Sequence, residues 1–411
     1  MPICQICGHE SPWLGDHLSE AHKLNVEQYL GKYPAAEVVA PEIVAELQKT
    51  ANGKRAHPPA PTHLTADFAG VVHKVNHDVP PEVCLPLPDH YRIPSYGALA
   101  EDVSAASIAL KNARSLYIHG ASGCGKDGFV SAWSALHRVP GEEFQVIPNT
   151  DLQPWLWSKS INRGGTYWEE GRLLRLARDG YKTTTGRQIP ALILITDLDR
   201  ATKSQIEIVR LLLDTIQGRV PRPDGGSWPV LPGTHFVATA NTAGQGDETG
   251  RYTSSTIIDF SILSRFQRKL RFHMMDWRDE EPILRAKFPL FAEKMGDELT
   301  GHREAHTGRM TTGLGMATHT LREHIESGDL FAEFSHRELC NWVQAAEDIL
   351  SLHPRRKPPE DLMRQASRCV FDGYPDEETR LRAKRLIHGH ITGGLLDSGD
   401  VQGVSDESLS I

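Results

Sequence analysis

The run Gly120-Ala121-Ser122-Gly123-Cys124-Gly125-Lys126 constrains this chain more than any other segment. It fits the spacing G-x-x-x-x-G-K and stands between two readable elements. Ser115 to His119 reads as a strand before it. Behind it, Phe129, Val130, Trp133 and Leu136 mark one side of a helix that Pro140 ends. Glycines in such a turn let backbone N–H groups face inward around a phosphate. The helix N-terminus adds positive potential, and a lysine at position 126 reaches the outer phosphate oxygens. Cys124 is expected to face the outside of the loop, without a chemical role.

A loop of this kind commits the middle of the chain to an α/β parallel sheet. From about residue 90 to 275, short apolar runs alternate with helical patterns. The runs are Leu116-Tyr117-Ile118, Phe144-Gln145-Val146-Ile147, Ala191 to Ile195, Phe236-Val237-Ala238 and Leu270-Arg271-Phe272. Residues 276–395 read as a helical lid domain. Its clearest helix carries Trp342, Val343, Ala346, Ile349 and Leu350 on one face, behind a capping box of Ser335 and Glu338. Residues 1–50 form a separate small unit, 51–89 a Pro-rich linker, and 396–411 a Ser/Asp/Gly-rich tail expected to be disordered. The formal net charge of −8 argues against a generic polyanion binder. No apolar run approaches the length that spans a bilayer, and no leader-like segment opens the chain. The six cysteines are unevenly placed and do not suggest a disulfide framework. A cytoplasmic protein with no membrane contact is the expectation.

Two positions depart from the usual chemistry of a triphosphate site. The residue after Lys126 is ordinarily Ser or Thr, whose hydroxyl binds Mg²⁺; here it is Asp127. A second metal contact ordinarily comes from an Asp at the end of a buried strand, here Ala191 to Ile195 followed by Thr196-Asp197-Leu198-Asp199-Arg200-Ala201. In one register Thr196 stands at the metal position and Asp197 at that of the catalytic carboxylate. In the other, Asp197 is the metal ligand and Leu198 leaves no base. Leu198-Asp199-Arg200-Ala201 resembles the end of the corresponding segment in MoxR-type ATPases, which favours the first register. Loop and strand have then exchanged a hydroxyl for a carboxylate, with Asp127 and Thr196 both facing one Mg²⁺. The exchange brings a carboxylate closer to the triphosphate. Two unit charges about 4 Å apart repel by roughly 4 kcal/mol at an effective dielectric near 20, so the metal has to offset it.

Further motifs follow in order. Phe236 to Thr242 reads as a strand ending in Asn241, an amide suited to orienting an attacking water. Ala240-Asn241-Thr242-Ala243-Gly244-Gln245-Gly246-Asp247-Glu248-Thr249-Gly250 resembles the same region of the cobaltochelatase ATPase subunit. Ser264-Arg265-Phe266 resembles the arginine-finger element of MoxR-type rings, with Arg251 the second candidate. Ser335-His336-Arg337 resembles the family's second sensor helix, with His336 in place of proline. Residues 219–231 and Trp168-Glu169-Glu170-Gly171 resemble the insertions these families use for remodelling contacts.

The resemblance spans residues 90–350. It implies an AAA+ P-loop fold and an ATPase using ATP and Mg²⁺. The phosphate loop Gly120, Ala121, Ser122, Gly123, Cys124, Gly125 and Lys126 would bind the nucleotide with Asp127 and Thr196. Asp197, Asn241, Arg265 and Arg337 would carry catalysis. It further implies a homo-oligomeric ring, expected as a hexamer, that remodels a partner bearing a von Willebrand A domain, in the manner of a metal chelatase. Two other readings stay open. One is a nucleotide-binding assembly switch without turnover, and the other a DNA-associated ATPase or regulator.

The first fifty residues carry Cys4-x2-Cys7-x9-His17-x4-His22, four donors suited to tetrahedral Zn²⁺, with His9 an alternative. The short loop and the run Glu27 to Pro34 resemble the bacterial Ros/MucR finger, whose members bind DNA. Here seven acidic side chains face Lys23, Lys32 and Lys49, too little positive charge for phosphate neutralisation, so nucleic acid is disfavoured and partner docking preferred. His302, His306, His388 and His390 are expected to be solvated or packed rather than metal-bound.

Overall fold

The computed structural model describes residues 2–9, 14–24, 28–29, 32–33, 36, 38, 64–162, 165–213, 218–247, 250–301 and 311–396. Residues 51–63 of the expected linker, His302, His306 and the tail from 397 lie outside these. The chain forms two compact units, Met1–Thr62 and His63–Ile411.

In the first unit, helix α1 (Gly15–His22) ends at Lys23 in the left-handed conformation, φ 54°. Leu14, Leu18 and Tyr29 pack with Cys4 and Val38 into a small core. Among the described residues these five side chains bury little area, and a core that small gains from a further staple.

The second unit is built on five parallel strands: β3 (Leu116–His119), β4 (Gly141–Gln145), β9 (Leu192–Thr196), β12 (His235–Ala240) and β13 (Arg268–Arg271). Their order is β13-β3-β12-β9-β4. Alternation along β9 explains why the sheet is covered on both faces. Leu192 and Leu194 enter one core with Leu116, Ile118 and Val237. Ile193 and Ile195 enter the other with Tyr117, Phe236 and Ala238. Helices α2 (Gly97–Lys111) and α3 (Lys126–His137) supply the first core; α4 (Arg172–Asp179) and α5 (Lys203–Leu213) supply the second. The phosphate loop leaves β3 between the edge strand and β12, and the second unit is a parallel α/β core with a helical lid, the architecture expected of a P-loop fold.

Residues 64–89 correct the linker reading. Strands β1 (Leu64–Phe68) and β2 (Val71–Val75) form an antiparallel hairpin. Its turn places Ala69 and Gly70 at φ 53° and 77°, and Asp67 Oδ1 accepts from the Gly70 amide at 2.8 Å. Phe68, 1 % exposed, sits in the sheet core with its ring 5.8 Å from Phe129. His73 Nε2 lies 2.7 Å from the Ser107 hydroxyl of α2. The prolines at 80, 81, 86 and 88 signalled an extended segment, but the alternating apolar run ahead of them outweighs that signal.

Three further hairpins decorate the core: β5 (Trp157–Asn162) with β6 (Gly165–Glu170), β7 (Tyr181–Lys182) with β8 (Gln188–Ile189), and β10 (Arg219–Pro221) with β11 (Ser227–Pro229). After the short helix α6 (Phe260–Leu263) and β13, the lid contains α7 (Trp277–Lys287), α8 (Leu314–Glu326), α9 (His336–Leu352) and α10 (Glu377–Ile387). It has its own core around Trp342, which is 0 % exposed and donates Nε1–H to Met363 O at 3.0 Å. Among the described residues, no helix is long and apolar enough to cross a membrane.

Candidate functional site

Backbone geometry explains the glycines of the loop. Gly120 has φ 154°, and a Cβ there would lie 2.3 Å from Phe272 O; Gly123 has φ 71°, and a Cβ would lie 2.3 Å from Ser335 Oγ. Any other residue would displace β13's continuation or the lid. Gly125, at φ 94°, hands the chain to α3. Lys126 is 6 % exposed. Its ammonium donates to Gly120 O at 2.8 Å, Ala121 O at 2.9 Å and Asn241 Oδ1 at 3.1 Å. The loop lysine and the amide at the end of β12 therefore converge. Cys124 does not face outward. It is 2 % exposed in the sheet core with Sγ 4.0 Å from Lys126 Nζ, and burial pushes its thiol pKa up. The loop folds its fifth residue under itself because the Gly123 turn reverses the chain there.

The carboxyl ends of β4, β9 and β12 meet beside α3, where ligands of open parallel sheets bind. Thr196, the last residue of β9, is 3 % exposed and donates to Glu143 Oε1 at 3.2 Å. Thr239 donates to Asp127 Oδ1 at 2.6 Å. Asp127 and Thr196, expected to face one Mg²⁺, each hydrogen-bond a residue of a different strand. Asp197 is one of seven described non-glycine residues with a left-handed backbone, at φ 59°. That conformation costs about 1–2 kcal/mol and is often stored at functional positions. It turns the Asp197 carboxylate toward β4, where Gln145 Nε2 donates to Oδ2 at 3.1 Å.

Glu143, Gln145 and Asp199 are site residues that the sequence reading missed. Glu143 and Gln145 share one face of β4 by strand alternation, a signal present in the sequence but without a motif to flag it. Half-burial, and less strongly Asp127 and Asp197, raise the Glu143 pKa, while the Thr196 hydroxyl opposes the rise. Asp199 is fully buried. One oxygen accepts from the amides of Asn241 and Thr242, both at 3.0 Å, and from the hydroxyls of Thr242 and Ser255, both at 3.1 Å. It fixes the turn that presents Asn241.

The lid closes over the loop through α9. The capping box of Ser335 and Glu338 is formed. Arg337 stands in the first helical turn, its Cβ 3.3 Å from where a Gly123 Cβ would be. Tyr252, also missed from sequence, bridges core and lid: its hydroxyl accepts from the Ser122 amide at 3.1 Å and donates to Glu333 Oε1 at 3.0 Å. Burial raises the pKa of both Tyr252 and Glu333. Arg251 donates to Ile325 O of α8 at 2.8 Å. Arg265 is placed differently. Its carbonyl accepts from Ser115 Oγ at 3.2 Å, at the opposite end of β3 from the loop. The fold does not bring Arg265 to the loop of its own chain.

In the N-terminal unit, one donor atom from each of Cys4, Cys7, His17 and His22 lies within 4.8 Å of the others. Cys7 Sγ is 3.2 Å from His17 Nε2 and 3.3 Å from His22 Nε2, and Cys4 Sγ is 3.5 Å from His22 Nε2. Two thiols and two imidazoles at these spacings fit a tetrahedral zinc ion. His9 stacks on His17 with centroids 4.1 Å apart. His388 is packed, accepting at Nδ1 from the Leu395 amide at 2.9 Å; His390 Nδ1 lies 3.2 Å from Thr311 O.

No family model matches the sequence, and no curated protein matches it. Among solved structures, NtrX from Brucella abortus is 14 % identical with a TM-score of 0.42, over 71 % of this chain and 60 % of that one. NtrX in complex with ADP gives the same values. A mutant form of RuvB from Thermotoga maritima is 12 % identical with a TM-score of 0.37, over 66 % of this chain and 68 % of that one. This chain spans only 60 % of the length of NtrX. None of these similarities is high enough to assign an activity.

Proposed function

We propose that this protein binds ATP with a divalent cation at the loop ending in Lys126 and hydrolyses it, using the energy to remodel a partner protein. The observation that carries this reading is the convergence of Lys126 and Asn241 beneath a glycine turn that leaves no room for side chains. Lys126 and the loop amides hold the phosphates. Asp197, aimed by its left-handed backbone and by Gln145, accepts a proton from water that Asn241 orients. Arg337 reaches the phosphates from the lid. Magnesium, when bound, neutralises charge on the phosphate oxygens, with Asp127 and the end of β9 on its side of the site.

Arg265 serves the loop of a neighbouring copy in a ring, in keeping with its distance from its own loop and with the MoxR and cobaltochelatase resemblance. The same resemblance supports a hexamer and a partner with a von Willebrand A domain. The finger holds zinc through Cys4, Cys7, His17 and His22 and docks a protein, its acidic balance opposing DNA. Steady-state phosphate release by the full chain tests the reading: turnover in wild type that is lost in Lys126→Ala and Asp197→Asn supports it. The absence of ATP affinity in wild type overturns it. Asp197 has a shorter side chain than the glutamate usual at its position, which favours a second reading, a nucleotide-gated assembly switch. ATP binding equal in wild type and Asp197→Asn, with no phosphate released by either, selects that reading.

A further inference from the structure

We propose that Glu143 is a ligand of the cation that accompanies ATP, so that the site binds its metal with Asp127 and Glu143 rather than with Asp127 and Thr196. This inference rests on the ATP-binding reading above. The usual pair of metal contacts is altered at both positions: the loop offers Asp127, and β9 ends in a hydroxyl. A hydroxyl alone is a weak ligand for Mg²⁺, which favours one or two carboxylates plus water and phosphate oxygens.

The carboxylate missing from β9 is supplied one strand over. Gln145 lies opposite Thr196 in the β4–β9 register, and Glu143 lies opposite Leu194, two residues earlier on the same face. From there Glu143 Oε1 reaches the Thr196 hydroxyl at 3.2 Å. Thr196, nearly fully buried, acts as the donor that orients Glu143. Thr239 does the same for Asp127 at 2.6 Å. Each candidate ligand thus has one oxygen held by a threonine at the end of a buried strand and keeps its remaining lone pairs for a metal.

Charge supports the same reading. Glu143 and Asp127 bond the ends of the neighbouring strands β9 and β12. Among the described residues, neither Glu143 nor Asp127 has an ion-pair partner. Like charges converging without a counter-charge are destabilising on their own. The buried Lys126 ammonium, curled onto the carbonyls of its own loop, marks where phosphate oxygens would enter beside them. A cation between phosphate and the two carboxylates satisfies both sides.

The test separates metal binding from nucleotide binding. ATP affinity of the full chain is measured by calorimetry in EDTA and in excess Mg²⁺, for wild type, Glu143→Gln and Thr196→Val, with thermal melts to confirm folding. Bound Mn²⁺ in the presence of ATP is followed in parallel by electron paramagnetic resonance. The expected result has opposite signs in the two buffers. Glu143→Gln lowers the enhancement of ATP affinity by Mg²⁺ about tenfold or more. In EDTA its affinity is unchanged or higher, because one repulsive charge is gone. Thr196→Val moves in the same direction by less, and Mn²⁺ occupancy falls in parallel. An Mg²⁺ enhancement in Glu143→Gln equal to that of wild type overturns the proposal. So does an equal loss in both buffers, the signature of a structural role. Wild type failing to bind ATP in either buffer refutes the functional reading itself, a separate outcome.

Discussion

Replacing Glu280 with glutamine removes one negative charge from the interior of the lid while nearly preserving the shape of the side chain. Glu280, on α7, is 0 % exposed. It accepts from Arg322 of α8 at 2.8 and 2.9 Å and lies 3.0 Å from His336 Nδ1 of α9. Burial works against the charge on His336, but hydrogen bonds to Cys340 and Glu280 hold its pKa up, at about 9. A histidine raised above its unfolded value near 6.5 stabilises the fold fully below that pH. The contribution is lost as pH rises through 9, and it amounts to about 3 kcal/mol. Glu280→Gln also strands the Arg322 charge, and breaking a buried pair this way costs about 3–5 kcal/mol. Denaturant unfolding followed by circular dichroism should show the variant less stable by that amount at pH 6. The gap should narrow between pH 6 and pH 9.5, where His336 is mostly neutral, by at most about 3 kcal/mol because Cys340 also holds its pKa up. A difference under about 1 kcal/mol at pH 6, or one that does not narrow on raising the pH, would refute the reasoning.

Three further outcomes are expected. Asp127→Ser, which restores a conventional loop residue but leaves Thr196 in place, should weaken ATP binding in Mg²⁺; improved turnover would count against a carboxylate at this position. Acid should destabilise the core through His73 and His137, whose pKa values burial lowers to about 3 and about 4. The unfolded chain takes up protons below pH 6.5 and the folded one does not, so stability falls as pH drops, by about 4 kcal/mol for the two at pH 5. A denaturant midpoint unchanged between pH 7 and pH 5 would contradict this. Gly123→Ala should cost about 1–2 kcal/mol from its left-handed backbone alone and loosen the lid against the loop, read as a lower melting temperature with weaker ATP binding.

What the sequence made legible was local. The loop spacing, the buried run ending at Ile195, Asn241 at a strand end and the capping box ahead of Arg337 are each set within a dozen residues, so periodicity and turn chemistry suffice to find them. The elements that escaped depend on partners far along the chain. Glu143 matters because β4 lies beside β9 in the sheet, a neighbourhood that strand order creates and that no spacing records. Asp199 anchors Asn241 across 42 residues, and Tyr252 touches the loop across 130. The hairpin at 64–75 was obscured by the prolines behind it, and Cys124 by the assumption that a loop residue faces water.

The same long-range bonds give the site a route to the lid. Asp199 ties the end of β9 to the turn carrying Asn241, and Asn241 meets Lys126 in the loop. Just ahead of the Gly123 turn, the Ser122 amide is taken by Tyr252, whose hydroxyl passes the link to Glu333 at the foot of the lid. Beyond that turn the loop enters α3 at Lys126. On the lid side, Glu333 stands shortly before the Ser335 cap of α9, whose first turn holds His336 and Arg337. Glu280 locks His336 to α7 and α8, so the position of Arg337 is coupled to the rigid body of the lid rather than to a flexible side chain. On the proposed ATP-binding reading, phosphate entering the loop competes for Lys126, now spent on carbonyls and Asn241, and any shift of the loop backbone strains the Ser122–Tyr252–Glu333 chain directly. A part-buried hydrogen-bonded chain between core and lid has few intermediate arrangements, because a half-made bond leaves a polar group unsatisfied. On that reading the lid takes discrete positions, set by whether Lys126 faces its own loop or a phosphate.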